Sequence, residues 1–254
     1  MTAIDLTLLQ SVVRSGPTPL FATISGAHLY GFPSPDSDVD LRGSFVLPIE
    51  AVLRLRDPEE TITLTQVQAG VEVDWVAHDI RKFARLMLKR NGYVLEQLLS
   101  PLVVLGGEWL DELRLIGRGC IIRHLYHHYR GFAHTQFDLL AKPSTTVKEL
   151  LYAYRVLLTG IFVLESGEIE ANLITLNTHY QQPGVDDLIA RKQTGAEHGA
   201  LSSDDLMVHQ PQLDRLLARL EQAFQDSQLP DEPTTAVALD DFVVRARLTL
   251  GHHA

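Results

Sequence analysis

Asp38 and Asp40 stand one residue apart at the head of a segment, 39–47, whose apolar and polar residues alternate as in a strand. That period of two puts both carboxylates on one face. Two carboxylates so close repel each other unless a cation sits between them. A magnesium ion is the usual resolution, since it takes one or two carboxylates and leaves its other positions to water and phosphate oxygens. Just upstream lies a turn running from Gly26 to Gly31, where missing side chains let phosphate approach the backbone. Glycine turn and acid pair together are the minimal equipment for phosphoryl or nucleotidyl transfer. Each alone has a plainer reading, a solvated strand edge for the one and an ordinary turn for the other. Arg42, just past the pair, could brace those carboxylates or the triphosphate, and a structural ion pair is the equal alternative.

Two-metal transfer calls for a further acid. In the strand-like segment 71–76, Glu72 and Asp74 share one face, with Val71, Val73 and Trp75 on the other. Asp74 and Glu72 are the candidates for that third acid, Asp74 lying nearer the end that leads into a helix at Asp79. A polar, solvent-facing edge strand is the structural alternative. As third acid, Asp74 would take the proton of an attacking hydroxyl or help a metal ion activate it. Further along, Lys148, Tyr152 and Arg155 fall at i, i+4 and i+7 of a helical pattern and so share a face. Two cations and a ring suit a nucleoside triphosphate, charge for phosphates and ring for base or sugar. The same three residues also fit a core tyrosine between surface charges.

These residues need elements to position them. Periodicity predicts a helix over 4–13, strands over 20–25, 39–47, 61–67 and 71–76, and a helix from Asp79 to Arg90 ended by Asn91-Gly92. A helical turn over 94–99, stopped by Pro101, and a short strand over 102–105 follow. The order suggests a sheet layered by helices on one side. Beyond Gly106-Gly107 the segments 110–140, 146–166, 185–192, 202–225 and 236–250 all show helical spacing, with 230–233 as a linker. The expected fold is α+β: a mixed sheet with flanking helices over 1–106, and an all-helical C-terminal domain over 107–254. A cleft between domains is the expected place for a nucleotide.

Gly26-Ala27-His28-Leu29-Tyr30-Gly31 followed by Pro35-Asp36-Ser37-Asp38-Val39-Asp40-Leu41-Arg42-Gly43 resembles the signature of the DNA polymerase β-type nucleotidyltransferase superfamily. The longer form resembles its RNA-repair-pathway (RlaP-like) branch. Two later stretches add to the match. One is His78-Asp79-Ile80-Arg81-Lys82-Phe83 with Asn91 and Glu96-Gln97-Leu98-Leu99. The other runs from Lys148 through Tyr152, Arg155 and Leu157-Leu158-Thr159-Gly160 to Glu165-Ser166-Gly167. The resemblance spans about residues 20 to 170. It implies Asp38, Asp40 and Asp74 as catalytic metal ligands for Mg2+ or Mn2+, with a nucleoside triphosphate as substrate. Ser25, Gly26, His28, Ser37, Arg42, Lys148, Tyr152 and Arg155 are its implied nucleotide contacts. It further implies an RNA end as acceptor and an RNA ligase in the same pathway. One departure stands out: Ala27 occupies the place of the superfamily serine whose hydroxyl grips phosphate. Backbone N–H groups can cradle phosphate without it.

Composition bounds the rest. Hydrophobic content of 45% and charged content of 21% are those of an ordinary globular chain. No stretch nears the about 18 apolar residues of a membrane span. The N-terminus shows no export pattern, and the single Cys120 forms no internal disulfide, so a reducing cytoplasm is expected. A net charge of −10 makes the chain a poor non-specific binder of long nucleic acid. The cations Arg81, Lys82, Arg85, Lys89 and Arg90 read as a solvated helix face. His124, His127 and His128 have a spacing that can ligate zinc, but no carboxylate follows nearby and surface or core histidines are the better reading. The leading expectation is a Mg2+-dependent enzyme that moves a nucleoside monophosphate from a triphosphate to a hydroxyl. Transfer to a protein or small molecule, or a non-catalytic nucleotide sensor or partner subunit, are the alternatives. Base preference and oligomeric state are not legible.

Overall fold

Strand alternation, helix caps and glycine breaks set most of the boundaries in the computed structural model, which describes residues 5–68, 70–142, 144–195 and 200–252. In chain order the elements are α1 (Leu6–Arg14), β1 (Pro19–Ile24), α2 (Gly26–Tyr30), β2 (Val39–Phe45), α3 (Ile49–Leu53), β3 (Thr61–Gln68) and β4 (Val71–Asp79). Next come α4 (Ile80–Met87), α5 (Gly92–Leu99), β5 (Val103–Leu105), α6 (Glu108–Arg118), α7 (Leu125–Leu140) and α8 (Val147–Ser166). The chain continues with α9 (Leu173–Tyr180), α10 (Val185–Thr194), α11 (Ser203–Asp226) and α12 (Ala236–Leu250). It divides into two compact units. One comprises Met1–Gly26, Asp38–Cys120 and Glu232–Ala254, the other Ala27–Ser37 and Ile121–Asp231.

The first unit is built on a mixed sheet in the order β3-β4-β2-β1-β5. β2 runs parallel to β4, and the other pairings are antiparallel. Leu9, Val12 and Val13 of α1 pack with Ile24, Val39, Leu41, Val73, Trp75 and Ala77 on one face of the sheet. The alternate residues serve the other face. There Thr23 donates from Oγ1 to the Gln97 carbonyl at 2.7 Å, and Phe21 meets Phe83 edge-on at 5.3 Å. Helices therefore cover both faces of the sheet, and the one-sided layering expected from sequence is corrected. Pairing of strand period with two covered faces leaves the second face polar at the positions that matter for chemistry.

The second unit centres on α8, whose N-terminus is closed by a capping box between Thr146 and Glu149. Most of α8 is buried, including Leu150, Leu151, Tyr154, Leu157, Leu158 and Ile161. The continuous helical pattern expected over 110–140 is in fact two helices. α6 stops at Gly119, and α7 begins only at Leu125. Cys120, Ile121 and Ile122 are buried, so their apolar spacing mimicked a helix through the break. Two helices, α3 and α9, had no sequence expectation. Among the described residues no helix is long and apolar enough to cross a membrane.

Candidate active site

The parallel pairing of β2 with β4 sets Asp40 directly beside Asp74. Both are half-buried, whereas Asp38 is exposed and precedes the first residue of β2. The cation between the carboxylates is Arg42. Its Nη2 lies 2.6 Å from Asp40 Oδ1 and 3.2 Å from Asp74 Oδ2. Nη1 donates to the carbonyls of Leu41 and Asp74, each at 2.8 Å, and Nε donates to the Tyr93 hydroxyl at 3.1 Å. Burial opposes the charge of Arg42, but Tyr93, Asp40 and Asp74 outweigh it and raise its pKa. Arg42 thus bridges the two carboxylates. Thr65 on the neighbouring β3 donates to the other oxygen of Asp74, Oδ1, at 2.9 Å. Glu72 is exposed near the start of β4.

His78 extends the same polar face. Its pKa is lowered by burial and by the cations Lys82 and Arg42, and Nδ1 lies 3.0 Å from Thr61 Oγ1. The remaining cations of the 81–90 cluster behave as a solvated face, with Arg81 3.5 Å from Glu60 and Arg85, Lys89 and Arg90 exposed.

The glycine turn is wound as the short helix α2. Gly26 has φ +60°, and a Cβ there would stand 1.9 Å from Asp40 Oδ2. Only glycine lets the Asp40 carboxylate lie against the backbone, so the residue expected to admit phosphate first admits a carboxylate. Ser25 donates its N–H to the Asp40 carbonyl at 2.8 Å. Its side chain is fully buried, with no hydrogen-bond partner for Oγ among the described residues. His28 is half-buried on α2.

In the helical unit, α8 does place Tyr152 and Arg155 together, on the segment that follows the turn. Tyr152 meets Tyr30 edge-on at 5.5 Å and Phe32 at 5.7 Å. Arg155 is fully buried, its guanidinium 4.1 Å from the centre of the Tyr30 ring and 5.5 Å from that of Phe132. It is a cation lodged among aromatic faces. Lys148 is half-buried at the start of the same helix. Ser37 shares a tight turn with Ser34, and Lys192 of α10 reaches Ser34 from far along the chain.

Sequence reasoning missed Thr65, Tyr93 and Lys192. Thr65 carried the signal of strand alternation; Tyr93 and Lys192 carried none, because their partners are distant in sequence. Among the described residues no group of three or more His, Cys, Asp or Glu side chains is gathered as if to hold a metal ion. His124 and His127 stack on one another at 5.6 Å, and His124 Nε2 lies 3.4 Å from Asp231.

A family model described as the RNA repair pathway DNA polymerase beta family, RlaP, matches residues 2–245. The uncharacterized protein MJ0002 of Methanocaldococcus jannaschii is 36% identical over 61% of this chain and 63% of its own length. The uncharacterized protein YcgL of Bacillus subtilis is 25% identical over 70% of this chain and 71% of its own. Among solved structures, a nucleotidyltransferase-like protein from Exiguobacterium sibiricum 255-15 aligns with a TM-score of 0.33 and 13% identity. That alignment covers 86% of this chain and 72% of the other.

Proposed function

The chain belongs to the RlaP family of RNA repair pathway DNA polymerase beta proteins, and we propose that it is a metal-dependent nucleotidyltransferase. It would move a nucleoside monophosphate from a triphosphate to a hydroxyl, with an RNA end as acceptor, in the cytoplasm and beside an RNA ligase. The observation that carries this reading is the register of Asp40 with Asp74, two carboxylates side by side on the polar face of a rigid sheet, next to Asp38.

The donor set fits a magnesium ion that draws on one or two carboxylates and completes its shell with water and phosphate. Among the described residues no all-protein cage of three or more such ligands is gathered. Asp38 and Asp40 would hold the ion, with Asp74 beside them. Bound there, the ion would neutralise phosphate charge and favour the leaving pyrophosphate. Arg42 fixes the Asp40 and Asp74 carboxylates on the sheet through its bonds to both, and Tyr93 fixes Arg42. Thr65 leaves Asp74 oriented by donors on both oxygens, and Asp74 would accept the proton of the attacking hydroxyl. Lys148 and Tyr152 would contribute charge and a ring to the nucleotide, with Arg155 holding the aromatic group in place.

Pyrophosphate release tests the reading, using each of the four nucleoside triphosphates with Mg2+, with and without short RNAs. Release that depends on RNA and is lost in the Asp38→Asn/Asp40→Asn variant is expected. Nucleotide binding without release, with or without RNA, would favour the sensor alternative.

A further inference from the structure

Lys82 is set apart from the other cations of α4 and the turn after it. Arg81 has Glu60 at 3.5 Å, and Arg85, Lys89 and Arg90 are exposed. Lys82 is half-buried, and its ammonium donates to the hydroxyl of Thr61 on β3. Among the described residues no carboxylate lies within ion-pair distance of it. The hydroxyl meets one of its three donors and none of its charge. Lys82 is also the third residue of α4, at the end where the helix dipole disfavours a cation. The acid at that end, Asp79, is held by Arg247 through both oxygens. Arg42, a cation on the same polar face, already has Asp40 and Asp74. The surplus charge is felt at His78, whose pKa is lowered first by burial and then by Lys82 and Arg42. What this ammonium lacks is an anion.

The register of β3 with β4 shows where such an anion would lie. Thr61 pairs with His78, Thr63 with Val76 and Thr65 with Asp74, so these side chains share one face of the sheet. Thr63 and Thr65 are exposed, and Val76 and His78 are half-buried. The strip from Asp74 toward Lys82 is therefore open and lined by hydroxyls. The rise of a strand puts His78 about 13 Å from Asp74. Gly26 and Asp40 stand at the Asp74 end, so the phosphates of a triphosphate bound there are remote from Lys82. A polynucleotide whose terminal hydroxyl reaches Asp74 carries further phosphates along such a strip, and threonine hydroxyls suit its ribose hydroxyls.

We propose that Lys82 binds a backbone phosphate of the acceptor RNA, with the strand lying along the Thr63 and Thr65 strip and its terminal hydroxyl at Asp74. The inference rests on the nucleotidyltransferase reading above and adds to it the path of the acceptor.

The test is the affinity of the full chain for a short single-stranded RNA with free terminal hydroxyls, measured with Mg2+ across a range of salt. Affinity for each of the four triphosphates is measured beside it. Lys82→Gln should weaken RNA binding by about tenfold, the loss of one charge-assisted contact. It should also reduce the slope of log K against log salt by about 0.7, the share of one phosphate on a single strand. Its affinity for the best-bound triphosphate should stay that of the parent, and Lys82→Arg should keep most of the RNA affinity. Replacing single internucleotide phosphates by uncharged methylphosphonate should weaken the parent at a linkage near the acceptor end and leave Lys82→Gln indifferent there. A parent insensitive to every such replacement would overturn the inference even if Lys82→Gln failed to fold. So would an unchanged salt slope in Lys82→Gln, or an equal loss for RNA and triphosphate, which would assign the ammonium to the nucleotide. A parent that bound triphosphate but no RNA would overturn the inference and leave transfer to another acceptor. A parent that bound neither would overturn the nucleotidyltransferase reading, and this inference with it.

Discussion

Arg42 is the residue on which the carboxylate geometry depends, since one guanidinium reaches Asp40, Asp74 and Tyr93. Arg42→Ala leaves Asp40 and Asp74 side by side without their cation. We expect a loss of about 1–3 kcal/mol in denaturant unfolding, the cost of removing charged hydrogen-bond partners at a half-exposed site. Millimolar Mg2+ should raise the melting temperature of that variant more than that of the parent. An equal response would separate the acids from any metal. Gly26→Ala places a methyl at φ +60° and on top of Asp40 Oδ2. It should lower stability by about 1–3 kcal/mol and displace Asp40, which thermal melting and triphosphate binding would read together. The acids were legible at this scale because their chemistry follows from residue type and a period of two. The purpose of Gly26 was not, because the atom it accommodates belongs to a side chain on a different element.

Among the elements, α4 shows how a local signal and a distant one combine. Asp79 caps it by accepting from the Arg81 N–H at 3.0 Å, as the sequence predicts. The same carboxylate, 1% exposed, also accepts from the Leu47 N–H at 3.0 Å and pairs through both oxygens with Arg247 of α12 at 2.7 and 2.8 Å. Asp79→Ala strands Arg247 and should cost about 3–5 kcal/mol in urea unfolding. A loss typical of a cap alone, about 1 kcal/mol, would show that the ion pair adds nothing. α7 contributes a pH response. Burial and then Arg155 push the His128 imidazole down to about 4 from its ordinary 6.5. The unfolded chain therefore takes the proton first, so this stabilisation is complete above pH 6.5 and is lost as pH falls toward 4. His128→Gln should flatten the melting-temperature profile in that window, and an unchanged slope would assign the acid sensitivity elsewhere. Helix starts with capping residues, such as Thr146 and Ser202, were readable to within a residue. The break after α6 was not, because buried Cys120, Ile121 and Ile122 preserve the apolar rhythm across it.

At the scale of the molecule, the mixed sheet and the helical unit were legible from the change in period after Gly106. The return of α12 to the sheet unit and the grouping of 27–37 with the helices were not. Both depend on pairings far apart in the chain, such as Asp79 with Arg247 and Ser34 with Lys192, which no local pattern encodes. The central claim is that the acids of the sheet face drive nucleotidyl transfer. The most direct measurement is the mass of short RNAs after incubation with each triphosphate and Mg2+, for the parent and for Asp38→Asn/Asp40→Asn. The account predicts a product heavier by one or more nucleoside monophosphates with the parent and unchanged RNA with the variant. Equal extension by both proteins would contradict it.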